Sequence, residues 1–224
     1  MTVLGAPQVD YAATFDGDSE FDRQVEILLA LDYPRLIGMN PIALRAMLEP
    51  LRDAALDRCR GLSPPTRSCV PFLLVVSRLI ASPSMTVTLT TLNGRPGFVS
   101  QDTADIDRFE PIASIGIPAG DAYLALDVDR GAETLNATPD QALARFTEQG
   151  RSPMTIDEGI AFITHFPESL EKNNCFQLAG SRCGDRRVPG LWISKRAPKL
   201  GFCWAGNRHT WLGMASCASR AGIV

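Results

Sequence analysis

Several features that reveal a function in other proteins are missing from this sequence. The apolar runs are short: the longest, Val70–Ser77 (VPFLLVVS), has the length of a buried strand, well below the roughly 18 residues of a membrane-spanning helix. The first 20 residues have neither the basic start nor the apolar run of a signal peptide. We therefore expect a cytoplasmic protein that does not enter a membrane.

Short-spaced metal ligands are also missing. The six cysteines stand at positions 59, 69, 175, 183, 203 and 217, and no CxxC pair occurs. A zinc site needs convergent ligands at short spacing, so we predict no metal site. In a reducing cytoplasm we expect six free thiols, largely buried, and no disulfide.

The common catalytic signatures GxxxxGK[ST], GxGxxG, GxSxG and HExxH do not occur. Asp127-x-Asp129 after an apolar strand resembles the first motif of haloacid dehalogenase-type phosphatases. The later acidic pair that those enzymes need is missing, which favours a solvated Asp-Arg-Gly turn. Ser169-x-x-Lys172 matches a penicillin-binding motif whose partner motifs SDN and KTG are absent. Whether the protein is an enzyme stays open, and catalytic residues and cofactors are unknown.

Lysine is scarce, because only three of the 22 basic residues are lysines, and the charges are unevenly distributed. Residues 1–160 carry 13 basic and 22 acidic side chains, a balance of −9, whereas residues 161–224 carry nine and three, a balance of +6. Such an asymmetry indicates an anionic partner for the basic part. The alternative is that the two parts pair with each other inside one molecule.

Helix signals fall into two groups. Ser19 is a candidate N-cap for a helix that ends near Tyr33, and Asn40-Pro41 begins a second helix. Thr138-Pro139 opens a helix to about Gln149, and Thr155–Glu158 is a capping box for another helix. The sequence thus predicts helices before residue 60 and again between residues 138 and 172.

Strand signals occupy the remaining parts. Phe72–Val76 and Tyr123–Val128 are apolar, and the Thr-rich stretch Met85–Leu92 runs into the hairpin signal Asn93-Gly94. Four more strands are predicted between residues 175 and 215. The fold class is therefore α+β, with a mixed or mainly antiparallel sheet, N-terminal helices and a β-rich C-terminal part. We expect residues 1–18 to form an N-terminal arm and residues 19–224 a single α+β domain.

The candidate site lies in GFCWAGNRHTWLGMASC, residues 201–217. Phe202–Trp204 and Trp211–Ala215 look like the strands of a hairpin whose polar tip is AGNRHT. Aromatic side chains beside such a tip form a plausible recognition edge, which basic residues on the neighbouring turns would surround. The predicted ligand-binding residues are Trp204, Asn207, Arg208, His209, Trp211, Arg182, Arg186, Lys195 and Lys199. The alternative is an ordinary hairpin with a charged edge.

Three functions are compatible with this candidate site. The first is a site for a small, anionic molecule, in which His209 or His165 acts as the acid–base group if there is catalysis; His165 is otherwise a helix cap. The second is a non-catalytic interaction module that docks an acidic partner or a second subunit. The third, nucleic-acid binding by stacking on Trp204 and Trp211, is opposed by the sequence pI of about 5.4. The oligomeric state stays open.

Long stretches of the chain resemble a family of uncharacterised actinobacterial proteins. The matching pieces are FDRQVEILLALDYPRLIGM, SPMTIDEGIAFITHFPE and THFPESLEKNNCFQLAGSRCGDRRVPGLWISKRAPKLGFCWAGNRHTWLGMASC. The resemblance covers most of the chain from about residue 20 onward. It implies an actinobacterial source and one full-length domain, and it implies no activity or cofactor.

Overall fold

A computed structural model describes residues 15–59 and 62–223, and its secondary structure is α+β. Within these ranges there are seven α-helices: α1 Gly17–Ala30, α2 Tyr33–Leu36, α3 Pro41–Leu48, α4 Arg52–Cys59, α5 Pro83–Thr86, α6 Pro139–Gln149 and α7 Ile156–His165. None of these helices is long and apolar enough to cross a membrane.

The first helix begins three residues earlier than the sequence predicted. The Asp16 carboxylate, and not the Ser19 hydroxyl, accepts a hydrogen bond from the backbone N–H of Asp18 and caps α1. Ser19 instead lies in the first turn and donates its hydroxyl to Asp16 at 2.6 Å. Most of the predicted arm, residues 1–14, lies outside the described residues, and the division into an arm and one domain stays a prediction.

Thirteen strands lie in the described ranges. They are β1 Cys69–Val76, β2 Thr91–Leu92, β3 Arg95–Pro96, β4 Phe98–Val99, β5 Glu110–Pro111, β6 Ala122–Asp129, β7 Ser152–Pro153, β8 Cys175–Gln177, β9 Ser181–Arg182, β10 Arg187–Ser194, β11 Ala197–Trp204, β12 Leu212–Met214 and β13 Ser216–Ala221. Two larger sheets have the strand orders β1-β6-β13-β7 and β12-β8-β10-β11-β4, and two hairpin-sized sheets pair β2 with β3 and β5 with β9.

The four-stranded sheet separates two hydrophobic cores. Successive side chains of a strand point to opposite faces. Phe72 and Leu74 of β1 therefore pack with the N-terminal helices, whose core residues include Phe21 and Leu44. Leu73 on the opposite face packs with α7 and with the second sheet. This arrangement explains why β1 is apolar along nearly its whole length.

Helix α7 is buried along all ten of its residues. The predicted capping box is present: Thr155 accepts from the backbone N–H of Glu158, and the Glu158 carboxylate accepts from that of Thr155. The helix packs on β1 and, through a ring contact of Phe162 with Phe176 at 5.6 Å, on the second sheet. A helix in contact with protein on all sides needs apolar residues all round, as GIAFIT supplies.

The Thr-rich stretch Met85–Leu92 is not a strand, contrary to the prediction. It lies mostly in α5 and a 3-10 turn, and only Thr91–Leu92 belongs to a strand. The hydroxyls of Thr86, Thr88 and Thr90 donate to backbone carbonyls three or four residues earlier, local bonds that offer the chain an alternative to strand pairing. The Asn93-Gly94 turn between β2 and β3 is confirmed, with φ of 51° and 72°.

Residues 201–217 do not form a hairpin either. Strand β11 pairs with β10 on one edge and with β4 on the other, whereas β12 pairs in parallel with β8. Because a strand has only two edges, β11 has none left for β12. Trp204 and Trp211 are thus not cross-strand neighbours, and the predicted tip, residues 205–210, is a connection between distant strands.

Candidate functional site

The β10–β11 hairpin separates the predicted site residues into two groups. Arg187 is paired with Trp204 at one end, and Ser194 is paired with Ala197 at the other. Eight residue pairs at about 3.3 Å each place the two ends roughly 20–25 Å apart. Arg186, next to the Trp204 end, and Lys195, in the turn, therefore cannot contact one small ligand. The prediction of a single basic rim is wrong in this respect.

At the turn end, Lys195 and Lys199 line a cleft of about 240 Å³. We call it the lysine cleft. Its other lining residues are Phe98, Val99, Ser100, Gln101, Asp102 and Ser194. Lys199 reaches it from β11 beside the parallel strand β4. Two of only three lysines in the chain thus line one cleft.

A row of aromatic side chains extends from the lysine cleft. The Lys199 ammonium lies 5.2 Å from the centre of the Trp192 ring. Trp192 meets Trp211 edge to face at 6.4 Å, and Trp211 meets His209 at 5.4 Å. The row connects three predicted residues, Lys199, Trp211 and His209, through Trp192.

Sequence reasoning missed Trp192 as a site residue. A Cβ on Gly201 would lie 2.5 Å from the Trp192 ring, so this glycine allows the indole to lie across β11. The available signal was that only two residues, Lys195 and Arg196, separate Ser194 from Ala197, which is the length of a tight hairpin turn. Lys-Arg is an unusual pair for a two-residue turn, and the pairing was therefore not recognised.

His209 is a neutral member of the row near pH 7. Burial lowers the pKa of its ring, and Nε2 has no hydrogen-bond partner among the described residues. Its carbonyl accepts from the backbone N–H of Asn136 at 2.9 Å. His209 therefore contributes a ring edge rather than a positive charge.

The turn beside the lysine cleft is strained. Lys195 and Arg196 have φ of 52° and 62°, the left-handed region that side chains with a Cβ disfavour by roughly 1–2 kcal/mol each. The same protein builds its β2–β3 turn with Asn93-Gly94, the pair that suits this geometry. The β10–β11 turn therefore holds two basic residues in a conformation that neither favours.

The other end of the hairpin is an exposed edge. Trp204 is 51% exposed, and its ring meets Phe202 edge to face at 5.4 Å. Arg186, Asn207 and Arg208 are exposed as well. These four predicted residues are exposed at or next to this end of the hairpin, and we call them the Trp204 edge.

Arg182 lies on β9, a short strand that contacts β10. Its Nη1 atom is buried and has no hydrogen-bond partner among the described residues. Burial lowers its pKa, an effect that Asp140 on α6 opposes by its charge. Structurally, Arg182 is a half-buried cation and not part of a rim around the tryptophans.

Internal pairing neutralises only a small share of the basic C-terminal part. Arg187 binds both carboxylate oxygens of Asp105 at 2.7–2.8 Å, and Arg220 binds Glu158, with Nη2 to Oε2 at 2.9 Å. The other basic residues after position 160 form no ion pair with any residue that the structure describes: Lys172, Arg182, Arg186, Lys195, Arg196, Lys199 and Arg208. Most of the positive charge therefore remains available to a partner.

His165 is not the charged helix cap that the sequence favoured. Its ring is buried, and Nε2 lies 2.9 Å from the carbonyl oxygen of Leu74. A carbonyl only accepts, so Nε2 carries the hydrogen and Nδ1 is an acceptor, which has no partner within the described residues. Burial lowers the pKa of His165 to about 3. The neutral ring cannot stabilise the helix dipole as a cation would.

The segment at Asp127 and Asp129 is not a solvated turn, contrary to the expectation. Arg151 donates to the Asp127 carboxylate at 2.9 Å, and the thiol of Cys69 lies 3.4 Å from the carboxylate of Asp129. Arg130 is buried and donates to the carbonyl of Ser169. In the described residues, no cluster of three or more His, Cys, Asp or Glu side chains is arranged to hold a metal ion.

The five cysteines at positions 69, 175, 183, 203 and 217 are free thiols, and no disulfide joins any of them. Cys175 and Cys217 are buried, Cys183 and Cys203 are half-buried, and Cys69 is exposed. The expectation of largely buried thiols is therefore wrong for Cys69.

No curated protein and no solved structure matches this chain. One family model does match, over residues 27–223, which is most of the chain and includes both ends of the β10–β11 hairpin. The chain therefore belongs to a family of unknown function, DUF5701.

Proposed function

We propose that the protein binds a small anionic ligand in the lysine cleft. The cleft of about 240 Å³ has room for a phosphate- or carboxylate-bearing molecule. Lys195 and Lys199 supply two positive charges against the one negative charge of Asp102, and the hydroxyls of Ser100 and Ser194 line the same space. Ammonium groups and hydroxyls are suitable donors to an anion.

The strained Lys195-Arg196 turn is the observation that carries this proposal. Backbone strain in natural proteins concentrates at functional sites, where it is retained because the site needs those side chains. The fold itself needs only a two-residue turn, which Asn-Gly would form without strain. Replacing Lys195-Arg196 by Asn-Gly would remove the positive charge beside the cleft, and we therefore infer that this charge is the reason for the strained turn.

The aromatic row gives the cleft an internal fluorescent reporter, because Trp192 contacts the cleft residue Lys199. Lys199 contacts Trp192, which contacts Trp211. An anion that draws the Lys199 ammonium away from the indole would change the fluorescence of Trp192. Binding is therefore measurable without labelling the protein.

The test is a titration with inorganic phosphate, pyrophosphate and citrate, followed by tryptophan fluorescence and by calorimetry. We expect saturable binding of at least one anion, and its loss in the double variant K195A/K199A. Lys172→Ala is the matched control, because it removes the third lysine, which lies outside the cleft. The proposal is refuted if none of the three anions binds, or if K195A/K199A binds them as tightly as K172A does.

A second candidate function is docking of an acidic protein segment at the Trp204 edge. The specific observation is the 51% exposure of Trp204 beside Arg186 and Arg208, which form no ion pairs with described residues. Tryptophan and arginine are the residues enriched at energetically important points of protein interfaces. Fluorescence anisotropy of a labelled Glu-rich peptide tests this function. We expect binding that W204S/R208A weakens and K195A/K199A does not, and equal binding by all three proteins would contradict it.

A further inference from the structure

A second cleft, which shares no lining residue with the lysine cleft, lies between α1 and α7. Its volume is about 370 Å³. The apolar walls include Ile27 and Leu31 from α1 and Ile163 from α7. We call it the α1–α7 cleft, and its size and walls suit a compact organic molecule.

The C-terminal ends of two helices meet at this cleft. Ala30 and the C-cap Leu31 of α1 line it, as do Thr164 and His165 of α7. The end of each helix carries a partial negative charge, which proteins commonly balance with lysine or arginine in the last turn. Helix α1 has no basic residue there, and α7 has only His165. Because that ring is neutral, neither helix end is balanced by a charge of its own.

The side-chain charges in the cleft leave an excess of negative charge. Arg23 is already engaged: its Nε and Nη2 each donate to the Glu20 carboxylate at 2.7 Å, and its Nη1 donates to the carbonyl of His165 at 3.0 Å. Glu168 is exposed at the cleft and forms no ion pair within the described parts of the chain. The positive charge of Arg23 is thus neutralised by Glu20. The Glu168 carboxylate and the two helix C-termini remain, and they leave the cleft with a net negative charge.

We propose that the α1–α7 cleft binds a small organic cation, an amine with a compact hydrocarbon body. The ammonium group pairs with Glu168 near the helix ends, and the hydrocarbon body contacts Ile27, Leu31 and Ile163. An anion is disfavoured by the same charges, and a bare metal ion gains nothing from the apolar walls. This site is independent of the anion function proposed for the lysine cleft.

The test uses three probes that share a cyclohexane ring and differ in charge: cyclohexylamine is a cation, cyclohexanol is neutral and cyclohexanecarboxylate is an anion. Saturation-transfer NMR and calorimetry on the full chain measure their affinities at pH 7. We expect the ammonium form to bind tightest and the carboxylate weakest, with inorganic phosphate leaving the amine affinity unchanged. No saturable amine binding, or a preference for the carboxylate, overturns the proposal.

Two variants place the binding in the cleft. Glu168→Gln should weaken amine binding by roughly fivefold, the loss expected for a partly exposed ion pair, and should leave cyclohexanol binding unchanged. Glu148→Gln is the control, an exposed glutamate on α6 outside the cleft. Ala30→Phe adds bulk at an exposed cleft position and should weaken the amine and the alcohol alike. Amine binding that neither E168Q nor A30F changes would show that the cation binds elsewhere.

Discussion

Asp157 allows the sharpest quantitative prediction, because it is a carboxylic acid buried in the first turn of α7. It is 7% exposed and lines a cavity of about 10 Å³ together with Tyr33 and Thr86. Burial raises the pKa of Asp157 from 3.8 to about 7 against the opposing charge of Arg78, and Glu158 and Glu110 raise it further. Near neutral pH, this side chain is thus half protonated.

The shift predicts how the stability depends on pH. A carboxyl whose folded pKa exceeds its unfolded pKa contributes most below pH 4, and its contribution is lost as the pH rises to 7. A difference of about three pKa units corresponds to about 4 kcal/mol. Above pH 7 the folded protein carries this whole penalty.

Asp157→Asn keeps the size of the side chain and removes its ionisation. We expect the free energy of unfolding of D157N to exceed that of the wild type by an amount that grows by about 1.4 kcal/mol per pH unit between pH 4 and 7. The difference should level off above pH 7. Urea unfolding from pH 4.5 to 8.5 measures it. Asp121→Asn removes an exposed carboxylate as the control.

His165 makes the free energy of unfolding depend on pH in the opposite direction, and this contribution cancels when D157N is compared with the wild type. Its pKa is lowered to about 3, so its contribution to stability is lost as the pH falls from 6.5 towards 3. Both proteins contain this histidine. A difference between D157N and the wild type that stays constant across the pH range would refute the reasoning for Asp157.

Three further substitutions test other parts of the fold by urea unfolding. Replacing the strained turn by Asn-Gly (K195N/R196G) should raise the free energy of unfolding by about 1–2 kcal/mol, and no gain would show that the turn is relaxed. Arg220→Met should lower it by about 3–5 kcal/mol, because Glu158 would remain buried without its partner; a loss below 1 kcal/mol would contradict this. Gly131→Ala should lower it by more than about 3 kcal/mol, because φ is +86° and a Cβ would lie 1.9 Å from a backbone oxygen, and a neutral effect would count against the backbone geometry.

Helix starts were predictable from the sequence because a cap involves neighbouring residues. Asn40, Thr138 and Thr155 each cap the expected helix by accepting a backbone N–H three residues later. Strand pairing depends on residues far apart in the chain, and it was predicted wrongly at residues 201–217. The strand Trp211–Ala215 was recognised by its composition, but composition does not tell which neighbour a strand pairs with.

In the candidate site, too, the residue types were predictable from the sequence, whereas their arrangement in space was not. The sequence identified the right residue types, and Lys199, Trp211 and His209 do lie in one row. It did not reveal that Trp192 links them, nor that Trp204 lies at the far end of the hairpin. The α1–α7 cleft was missed because its charge comes largely from helix ends, which no side chain in the sequence represents.

The position of β13 has a consequence for how this protein is made in the cell. β13, residues 216–221, lies between β6 and β7 in the middle of its sheet, and Ser216 pairs with Asp129, far earlier in the chain. Until β13 has been synthesised, β6 has an unpaired edge, and the Glu158 carboxylate lacks its ion-pair partner Arg220. A nascent chain that has completed β6 therefore exposes an unpaired strand edge until residues 216–221 have been made, and exposed strand edges favour aggregation. We expect a chain truncated before residue 216 to lack a central strand of this sheet and therefore to fail to fold.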